Sequence, residues 1–278
     1  MSINWYPGHM VKARKEIEEN IKLVDIAVIL LDARAPFSCR NMDLEKIARR
    51  KKVIIILNKK DLAYPPATRM YANRLRKEGY KVAAMDSLSG KGAKEVLELI
   101  KEAFEESSEK FKQKGRRVRA ARVMIMGVPN IGKSTFLNNL VGRKMARTGA
   151  KPGITRGKQW VRVREDIEFM DTPGLMWPKL EGEEQGLKLA LLNIVGEKAY
   201  SEYDVSLFLI RVLKKKSPQT LTEKFKIKDS DKLEEELLAE IALARGHLLK
   251  EGKPDLDKTC TLLLQDFRKG NLGRISLD

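Results

Sequence analysis

The chain has 278 residues and is 42% hydrophobic, which suffices to bury a sizeable core in one large domain or in a medium domain with a smaller partner. Its two cysteines, Cys39 and Cys260, exclude a disulfide framework and a four-cysteine zinc site. The longest apolar runs, 26–31 and 53–57, are too short to cross a membrane, and no signal peptide is evident at the N-terminus. We therefore expect a cytoplasmic protein with no membrane partner.

The formal net charge is +17, and the excess is confined to one part of the chain. The first 178 residues hold 37 Lys/Arg and 20 Asp/Glu, whereas the remaining residues hold 18 of each. A polyanionic partner suits such a surface, because each neutralised phosphate releases counterions and adds affinity. Solubility alone is the other explanation. The charge favours a polyanionic partner but does not identify it.

The first 178 residues predict alternating helices and strands. In chain order these are helix 12–24, strand 26–31, helix 43–50, strand 53–57, helix 67–78, strand 81–85, helix 94–114, strand 122–126, helix 135–141 and a hairpin at 161–163 and 167–169. The alternation of strand and helix predicts a parallel sheet covered on both faces.

Beyond residue 178 the hydrophobic period becomes helical throughout. The predicted helices are 184–195, 204–215, 233–249 and 256–269. We therefore predict an α/β domain over residues 1–178, followed by a smaller all-α domain over residues 179–278. A basic cluster at 211–228 in this second part is either a surface for RNA or a solvated helix end.

A P-loop pattern lies between a predicted strand and a predicted helix: Gly127-Val128-Pro129-Asn130-Ile131-Gly132-Lys133-Ser134. Backbone N–H groups and the helix N-terminus of such a loop cradle phosphates, Lys133 reaches the β and γ oxygens, and Ser134 ligates Mg²⁺. The predicted nucleotide contacts run from Asn130 and Ile131 through Gly132 to Thr135. The strand-loop-helix context makes a structural glycine turn a weak alternative.

Two further motifs follow the P-loop. Asp171-Thr172-Pro173-Gly174 succeeds a predicted strand, so Asp171 is expected to hold Mg²⁺ through water and the Gly174 N–H to sense the γ-phosphate. Thr155 lies in a loop between the two motifs and is predicted to complete the Mg²⁺ shell. Taken alone, Thr155 would be an ordinary loop residue.

A base-recognition motif, Asn58-Lys59-Lys60-Asp61, precedes the P-loop and indicates guanine. A carboxylate at Asp61 accepts hydrogen bonds from both N1–H and the exocyclic amine of guanine, whereas adenine offers a lone pair at N1 and no amine at C2. We expect Asn58 to brace the loop and the Lys59 stem to cover the base. The run Asp86-Ser87-Leu88-Ser89-Gly90 is predicted to support the base from the other side, and Lys60, Asp86 and Ser87 are included in the predicted GTP-binding set.

The order of these motifs is a rotation of the usual GTPase order. It resembles the circularly permuted GTPases and, within them, the ribosome biogenesis GTPase A family, which the N-terminal Trp5-Tyr6-Pro7-Gly8-His9-Met10 and the element Asp32-Ala33-Arg34-Ala35-Pro36 also resemble. The resemblance covers the whole chain. It implies a GTP-hydrolysing factor of the bacterial cytoplasm that acts late in assembly of the large (50S) ribosomal subunit, with GTP/GDP, that subunit and its rRNA as partners, and with no DNA.

The residue after the DTPG motif is Leu175, where many GTPases place a glutamine that orients water. We therefore expect turnover at or below ~10⁻⁴ s⁻¹ without a partner. The resemblance implies that His9 supplies the catalytic group, although from the sequence alone His9 is a solvated residue before a helix. It also implies that Asn130 helps to hold K⁺ near the phosphates. His247 is expected to pack or to lie on the surface.

Two other functional classes compete with a ribosomal GTPase. A P-loop kinase acting on a small molecule is disfavoured by the guanine motif and by the lack of a recognisable lid or acceptor site. A regulatory GTPase with a non-ribosomal protein or membrane partner is disfavoured by the basic first domain and by the absence of an amphipathic anchor.

Overall fold

The structure is a computed structural model that describes residues 8–113, 119–142, 160–172, 174–175, 180, 182–196 and 200–278. The chain divides into two compact units, Ser2–Lys179 together with Asp278, and Leu180–Leu277. The division falls close to residue 178, where the hydrophobic period of the sequence changes.

The first unit is built on a six-stranded sheet in the order β3-β2-β1-β4-β6-β5. Five strands are parallel, and β5 pairs antiparallel to β6. The strands are β1 Ile26–Asp32, β2 Lys52–Asn58, β3 Lys81–Met85, β4 Ala121–Met126, β5 Trp160–Arg164 and β6 Ile167–Asp171. The helices are α1 Gly8–Asn20, α2 Met42–Ala48, α3 Pro65–Lys77, α4 Ala93–Gln113 and α5 Lys133–Val141.

The described elements confirm the predicted fold class, an α/β domain followed by a smaller all-α part. Every residue of β1 is buried, as expected for a central strand covered on both faces. The strand order together with right-handed crossovers places α2 and α3 on one face and α4 and α5 on the other. Because five of the strands are parallel, their carboxyl ends all lie at one edge of the sheet, where the predicted motifs begin.

The second unit contains only helices among its described elements. These are α6 Glu183–Leu191, α7 Glu202–Lys216, α8 Glu234–Ala244 and α9 Leu256–Lys269, with a π turn at Thr220–Lys224. α7 packs against the other three helices, and α8 also packs against α9. No helix in the part of the chain that the structure describes is both long and apolar enough to cross a membrane.

The predicted helix 233–249 is wrong at its C-terminal end, because α8 stops at Ala244. Gly246 has a φ of +66°, a left-handed conformation that ends helices, and the His247 N–H donates to the Ala242 carbonyl 2.9 Å away. His247 itself is buried, with its Nδ1 3.0 Å from the Thr259 hydroxyl. Of the two roles expected for His247, packing or a surface position, the structure shows packing.

Candidate nucleotide-binding site

The predicted motifs meet at the carboxyl edge of the sheet. The guanine motif begins in the last residue of β2, the Asp86 loop follows β3, the P-loop follows β4, and the DTPG motif begins in the last residue of β6. Across the edge, the order β3-β2-β1-β4-β6 places the base motifs at one end and the phosphate and Mg²⁺ motifs at the other. Ligands bind to open α/β sheets at this edge, and the motifs lie in the order in which a nucleotide extends from base to phosphate.

The P-loop has the backbone geometry of an anion-binding loop. Asn130 has a φ of +56° and Gly132 a φ of +101°, and α5 begins immediately afterwards at Lys133. Alternation between right- and left-handed residues turns successive N–H groups toward one concavity, and the helix N-terminus adds a partial positive charge. The buried Lys133 ammonium donates to the carbonyls of Gly127 (3.2 Å) and Val128 (3.0 Å), which keeps it within the loop.

Asn58 joins three of the loops through one side chain. Its Nδ2 donates to the Ile131 carbonyl in the P-loop at 3.0 Å, and its Oδ1 accepts from the Ser87 hydroxyl at 2.6 Å. Asn58 is 1% exposed, so both hydrogen bonds lie in the interior. A Cβ at Gly132 would lie 2.6 Å from the Asn58 Nδ2, so the amide and the glycine require each other.

Lys59 continues this connection one residue later. It adopts a φ of +58°, and its Nζ lies 3.1 Å from the Asn130 carbonyl of the P-loop and 3.3 Å from the Asp32 carboxylate. The aliphatic stem of Lys59 therefore runs between the guanine motif and the P-loop, consistent with the cover over the base that the sequence predicts.

The sequence assigned no role to the buried ion pair that holds Lys59. Asp32, the last residue of β1, accepts from the Arg34 backbone N–H, Nε and Nη2 at 2.9–3.0 Å, and both side chains are at most 2% exposed. Burial raises the pKa of Asp32, but the charges of Arg34 and Lys59 and the Arg34 hydrogen bonds hold it well below its usual range. Asp32 thus stays ionised and anchors the Lys59 ammonium. The sequence feature that could have indicated this pair is Asp32, a charged residue at the end of an otherwise apolar strand.

Asp61 is half-exposed, and among the described residues no other side chain donates a hydrogen bond to its carboxylate. Burial, together with the charge of Asp86, raises the pKa of Asp61 above its ordinary value. The carboxylate form can accept two hydrogen bonds from guanine. Since recognition requires that form, protonation at low pH competes with the base.

Lys60 contacts the neighbouring strand β3, whereas Asp86 forms its hydrogen bonds within its own loop. The Lys60 ammonium donates to the Ala84 carbonyl at 3.0 Å. The Asp86 carboxylate accepts from the N–H groups of Leu88 (2.9 Å) and Ser89 (3.2 Å) and from the Ser89 hydroxyl. Burial opposes ionisation of Asp86, but these hydrogen bonds lower its pKa. The structure thus gives Lys60 and Asp86 contacts that shape the base loops.

The predicted Mg²⁺ ligands are described only in part. Ser134 lies in the first turn of α5, beside Lys133. The backbone of Asp171 ends β6 and pairs with Ile125, two residues before the P-loop, whereas its side chain and all of Thr155 lie outside the described residues. The described residues contain no cluster of three or more His, Cys, Asp or Glu that could hold a metal ion.

The DTPG glycine packs directly on the P-loop. A Cβ at Gly174 would lie 2.6 Å from the Pro129 nitrogen, so only glycine permits this approach. Leu175 is 1% exposed, its N–H donates to the Gly127 carbonyl at 3.3 Å, and its carbonyl accepts from the Asn41 amide at 3.1 Å. An interior, apolar Leu175 cannot orient a water molecule.

His9 lies within α1, which begins at Gly8, four residues before the predicted start. The side chain of His9 is outside the described part of the structure. Its catalytic role therefore stays a prediction.

Comparison with known proteins places these features in a family. The family described as 50S ribosome-binding GTPase matches residues 122–242, a stretch that starts in β4 and leaves the guanine motif outside, as a rotated motif order requires. Ribosome biogenesis GTPase A of Priestia megaterium is 38% identical, covering 100% of this chain and 97% of the relative. The protein of the same name from Thermotoga maritima is 31% identical, covering 99% of this chain and 94% of the relative.

The chain is also similar to a solved structure over nearly its whole length. GNP-bound YlqF from T. maritima has a TM-score of 0.64 at 26% sequence identity, covering 96% of this chain and 97% of the other.

We predict that Asp61→Asn exchanges the base preference of the site. The amide oxygen can accept from N1–H and the amide nitrogen can donate to the 2-oxo group of xanthine, whereas it would meet the guanine amine as donor against donor. GTP affinity should fall by at least about 100-fold while XTP affinity rises. Calorimetric titration with both nucleotides measures this, and unchanged GTP binding with no gain for XTP would contradict the assignment.

We predict that Gly132→Ala lowers GTP affinity about tenfold to a hundredfold. The new Cβ displaces the Asn58 amide, and an unpaired buried amide costs about 1–3 kcal/mol. Gly142→Ala at the other end of α5 is the matched control, since Gly142 also has a positive φ (+73°) but a Cβ there has no neighbour within 4 Å. Titration of both variants with GTP, with thermal unfolding as a check of folding, should show weaker binding for Gly132→Ala alone. Equal GTP affinities in the two variants would contradict the role assigned to Asn58.

Proposed function

Since the chain belongs to the ribosome biogenesis GTPase A family, we propose that it binds and hydrolyses GTP as an assembly factor for a late step of large (50S) ribosomal subunit biogenesis. The observation that carries the proposal is the convergence of the guanine, P-loop and DTPG motifs at one sheet edge, where Asn58 joins the guanine motif to the P-loop. GTP, GDP, the large subunit and its rRNA are the proposed partners. Such a role places the protein in the cytoplasm.

In this proposal each part of the site performs one task on the nucleotide. Asp61 selects guanine, and Lys59 covers the base while its ammonium is held by Asp32 and the P-loop. Lys133 turns from the loop carbonyls to the β and γ phosphate oxygens, and the Gly174 N–H senses the γ-phosphate. Because Gly174 already contacts Pro129, a small displacement of the P-loop by the γ-phosphate reaches the DTPG segment directly.

Mg²⁺ is the cofactor that the GTPase fold implies, and the donor chemistry fits it. A hydroxyl at Ser134, a second at Thr155 and a carboxylate at Asp171 are oxygen donors of the kind that Mg²⁺ prefers, and these residues would hold it. When bound, the ion neutralises charge that develops on the phosphate oxygens. An accompanying K⁺ near Asn130 is part of the same proposal.

Hydrolysis without a partner should be slow, because Leu175 is buried and apolar. A second group must therefore orient the attacking water, and we assign this task to His9, whose helix belongs to the first unit. Contact with the ribosomal particle would bring its imidazole to the γ-phosphate. Hydrolysis would then release the factor from the finished particle.

The proposed division of labour follows the domain boundary at residue 178. Residues 1–178 carry the nucleotide site and the excess of positive charge, which suits rRNA phosphates. The helical residues 179–278 are proposed to bind RNA or ribosome, although they have no net charge. A regulatory GTPase with a non-ribosomal protein partner is the second candidate, and it has no comparable use for the basic excess.

Cosedimentation distinguishes the two candidates. In a sucrose gradient of a cell lysate with a non-hydrolysable GTP analogue, the protein should migrate with large-subunit particles, and with GDP it should leave them. Lys133→Ala, which cannot hold the triphosphate, should stay at the top of the gradient in both cases. Migration with no ribosomal particle under either nucleotide would contradict the ribosomal function and favour the second candidate.

We predict that His9→Ala leaves GTP affinity within about twofold, because no ground-state phosphate contact is lost. Hydrolysis stimulated by large-subunit particles should fall by about 10²–10⁴-fold, the usual contribution of a general acid–base group. Val11→Ala, an exposed position of the same helix, serves as the control. Single-turnover rates with and without particles decide the matter: undiminished stimulation in His9→Ala would show that His9 is not catalytic.

A further inference from the structure

Among the residues that the structure describes, α2, α3 and their ends carry a strong excess of positive charge outside the nucleotide site. Residues 40–80 contain twelve Lys/Arg and four Asp/Glu, and one of those acids is Asp61 of the guanine motif. Six exposed cations of these helices and their ends are here called the basic face: Lys46, Arg49, Arg50, Arg69, Arg74 and Lys77. The guanine motif does not use any of them. Arg76 is exposed as well but is not included, because its guanidinium donates to the Val82 carbonyl at 2.9 Å.

The remaining acids of this segment are already neutralised by other residues. Arg40 forms a bidentate pair with Glu45 (2.7 Å to each oxygen) and reaches Glu78 at 2.7 Å. Asp43 lies 3.6 Å from Arg14. Arg40 therefore neutralises two of these carboxylates, and the positive charge of the surrounding Lys and Arg side chains is left uncompensated.

Arg40 also shows that the two helices are neighbours. Glu45 belongs to α2, whereas Glu78 follows α3 directly, so one guanidinium bridges them. The Tyr80 hydroxyl donates to the same Glu45 carboxylate at 3.0 Å. α2 and the C-terminal end of α3 thus lie next to each other.

Most cations of the basic face have no acidic neighbour. Among the described residues, the only ion pair that involves the basic face is a long one of 3.9 Å between Arg74 and Glu78. Favourable interaction with the helix dipole accounts for charges in the last turn of a helix. It accounts neither for Arg69 in the middle of α3 nor for Arg50 beyond the end of α2.

Apart from Arg69, the basic face lies at the C-terminal ends of α2 and α3, away from the nucleotide edge of the sheet. α2 leads into β2 at Lys52 and α3 leads into β3 at Lys81, so their C-terminal ends lie at the amino edge of these strands, whereas the nucleotide motifs begin at the carboxyl edge. A ligand on this face would not obstruct nucleotide exchange.

We propose that the basic face of α2 and α3 is a docking surface for the phosphate backbone of RNA, with an affinity for isolated rRNA that is the same in both nucleotide states. Charge spread over two helices fits an extended polyanion, since Arg69 and Lys77 alone are about 12 Å apart along α3 at 1.5 Å per residue. A small anion would need donors that converge on one point. This inference rests on the proposed ribosomal function, because it identifies which surface meets the rRNA.

The test compares two triple variants of the full chain that lose the same charge. Arg50→Gln/Arg69→Gln/Lys77→Gln removes three cations of the basic face. Lys94→Gln/Lys101→Gln/Arg164→Gln removes three exposed cations from α4 and β5. Binding to transcribed large-subunit rRNA is measured against salt concentration, with GDP and with a non-hydrolysable GTP analogue, and GTP affinity serves as the fold check.

The basic-face variant should lose about tenfold or more in RNA affinity near 0.1 M salt. The negative slope of log K against log salt should become less steep by about 2–3, because fewer phosphates are neutralised. The control variant should bind as the wild type does, and the loss should be the same with either nucleotide. Equal losses in both variants, no loss in either, or a loss seen with one nucleotide only would overturn the assignment of this face.

Failure of the proposed function has a different signature. If wild-type protein binds neither rRNA nor ribosomal particles, the ribosomal function fails and this inference fails with it. If wild-type protein binds rRNA and the basic-face variant binds equally well, only the surface is wrong. Binding of wild-type protein to vesicles of phosphatidylglycerol and phosphatidylcholine, without binding to rRNA, would assign the face to a membrane and overturn the proposal.

Discussion

The Asn58 side chain is the constraint on which the nucleotide site depends. It is buried, and its amide bonds the P-loop carbonyl of Ile131 while its oxygen accepts from Ser87 in the loop after β3. The loop after β3 and the P-loop are therefore mechanically joined, since neither can move away from Asn58 without breaking a buried hydrogen bond. Gly132 and Lys59 share this constraint, the first by leaving room for the amide and the second through its contact with Asn130.

A permuted motif order is compatible with this site because the sheet, rather than the chain, sets the spatial order. The carboxyl ends of β3, β2, β1, β4 and β6 lie side by side, so base, phosphate and Mg²⁺ motifs are in sequence across the edge whichever comes first along the chain. Between them, β1 ends in the Asp32–Arg34 pair, whose buried charge holds Lys59. The central strand thus links the two halves of the site, although the sequence motifs that bind nucleotide lie on its neighbours.

The two edges of the same sheet carry different chemistry. Loops at the carboxyl edge provide glycines, amides and carboxylates that suit a single nucleotide. The ends of α2 and α3, which return the chain to the amino edge, carry cations whose acidic neighbours are occupied by Arg40. The separation would leave the nucleotide edge accessible while a polyanion occupies the basic face.

From the sequence alone, the α/β class, the strand positions, the P-loop and the guanine motif were predictable, because each depends on residue types and spacings within a few positions. The helices over 184–195 and 233–249 were predicted too long, since a local pattern does not show that Asn193 and Gly246 adopt left-handed conformations. Only the tertiary structure decided that Lys60 bonds the Ala84 carbonyl of β3, that Leu175 is interior, and that Asn58 joins Ser87 to Ile131. Those last contacts link residues 29 and 73 positions apart, and the physical cause is the pairing order of the strands that brings them together.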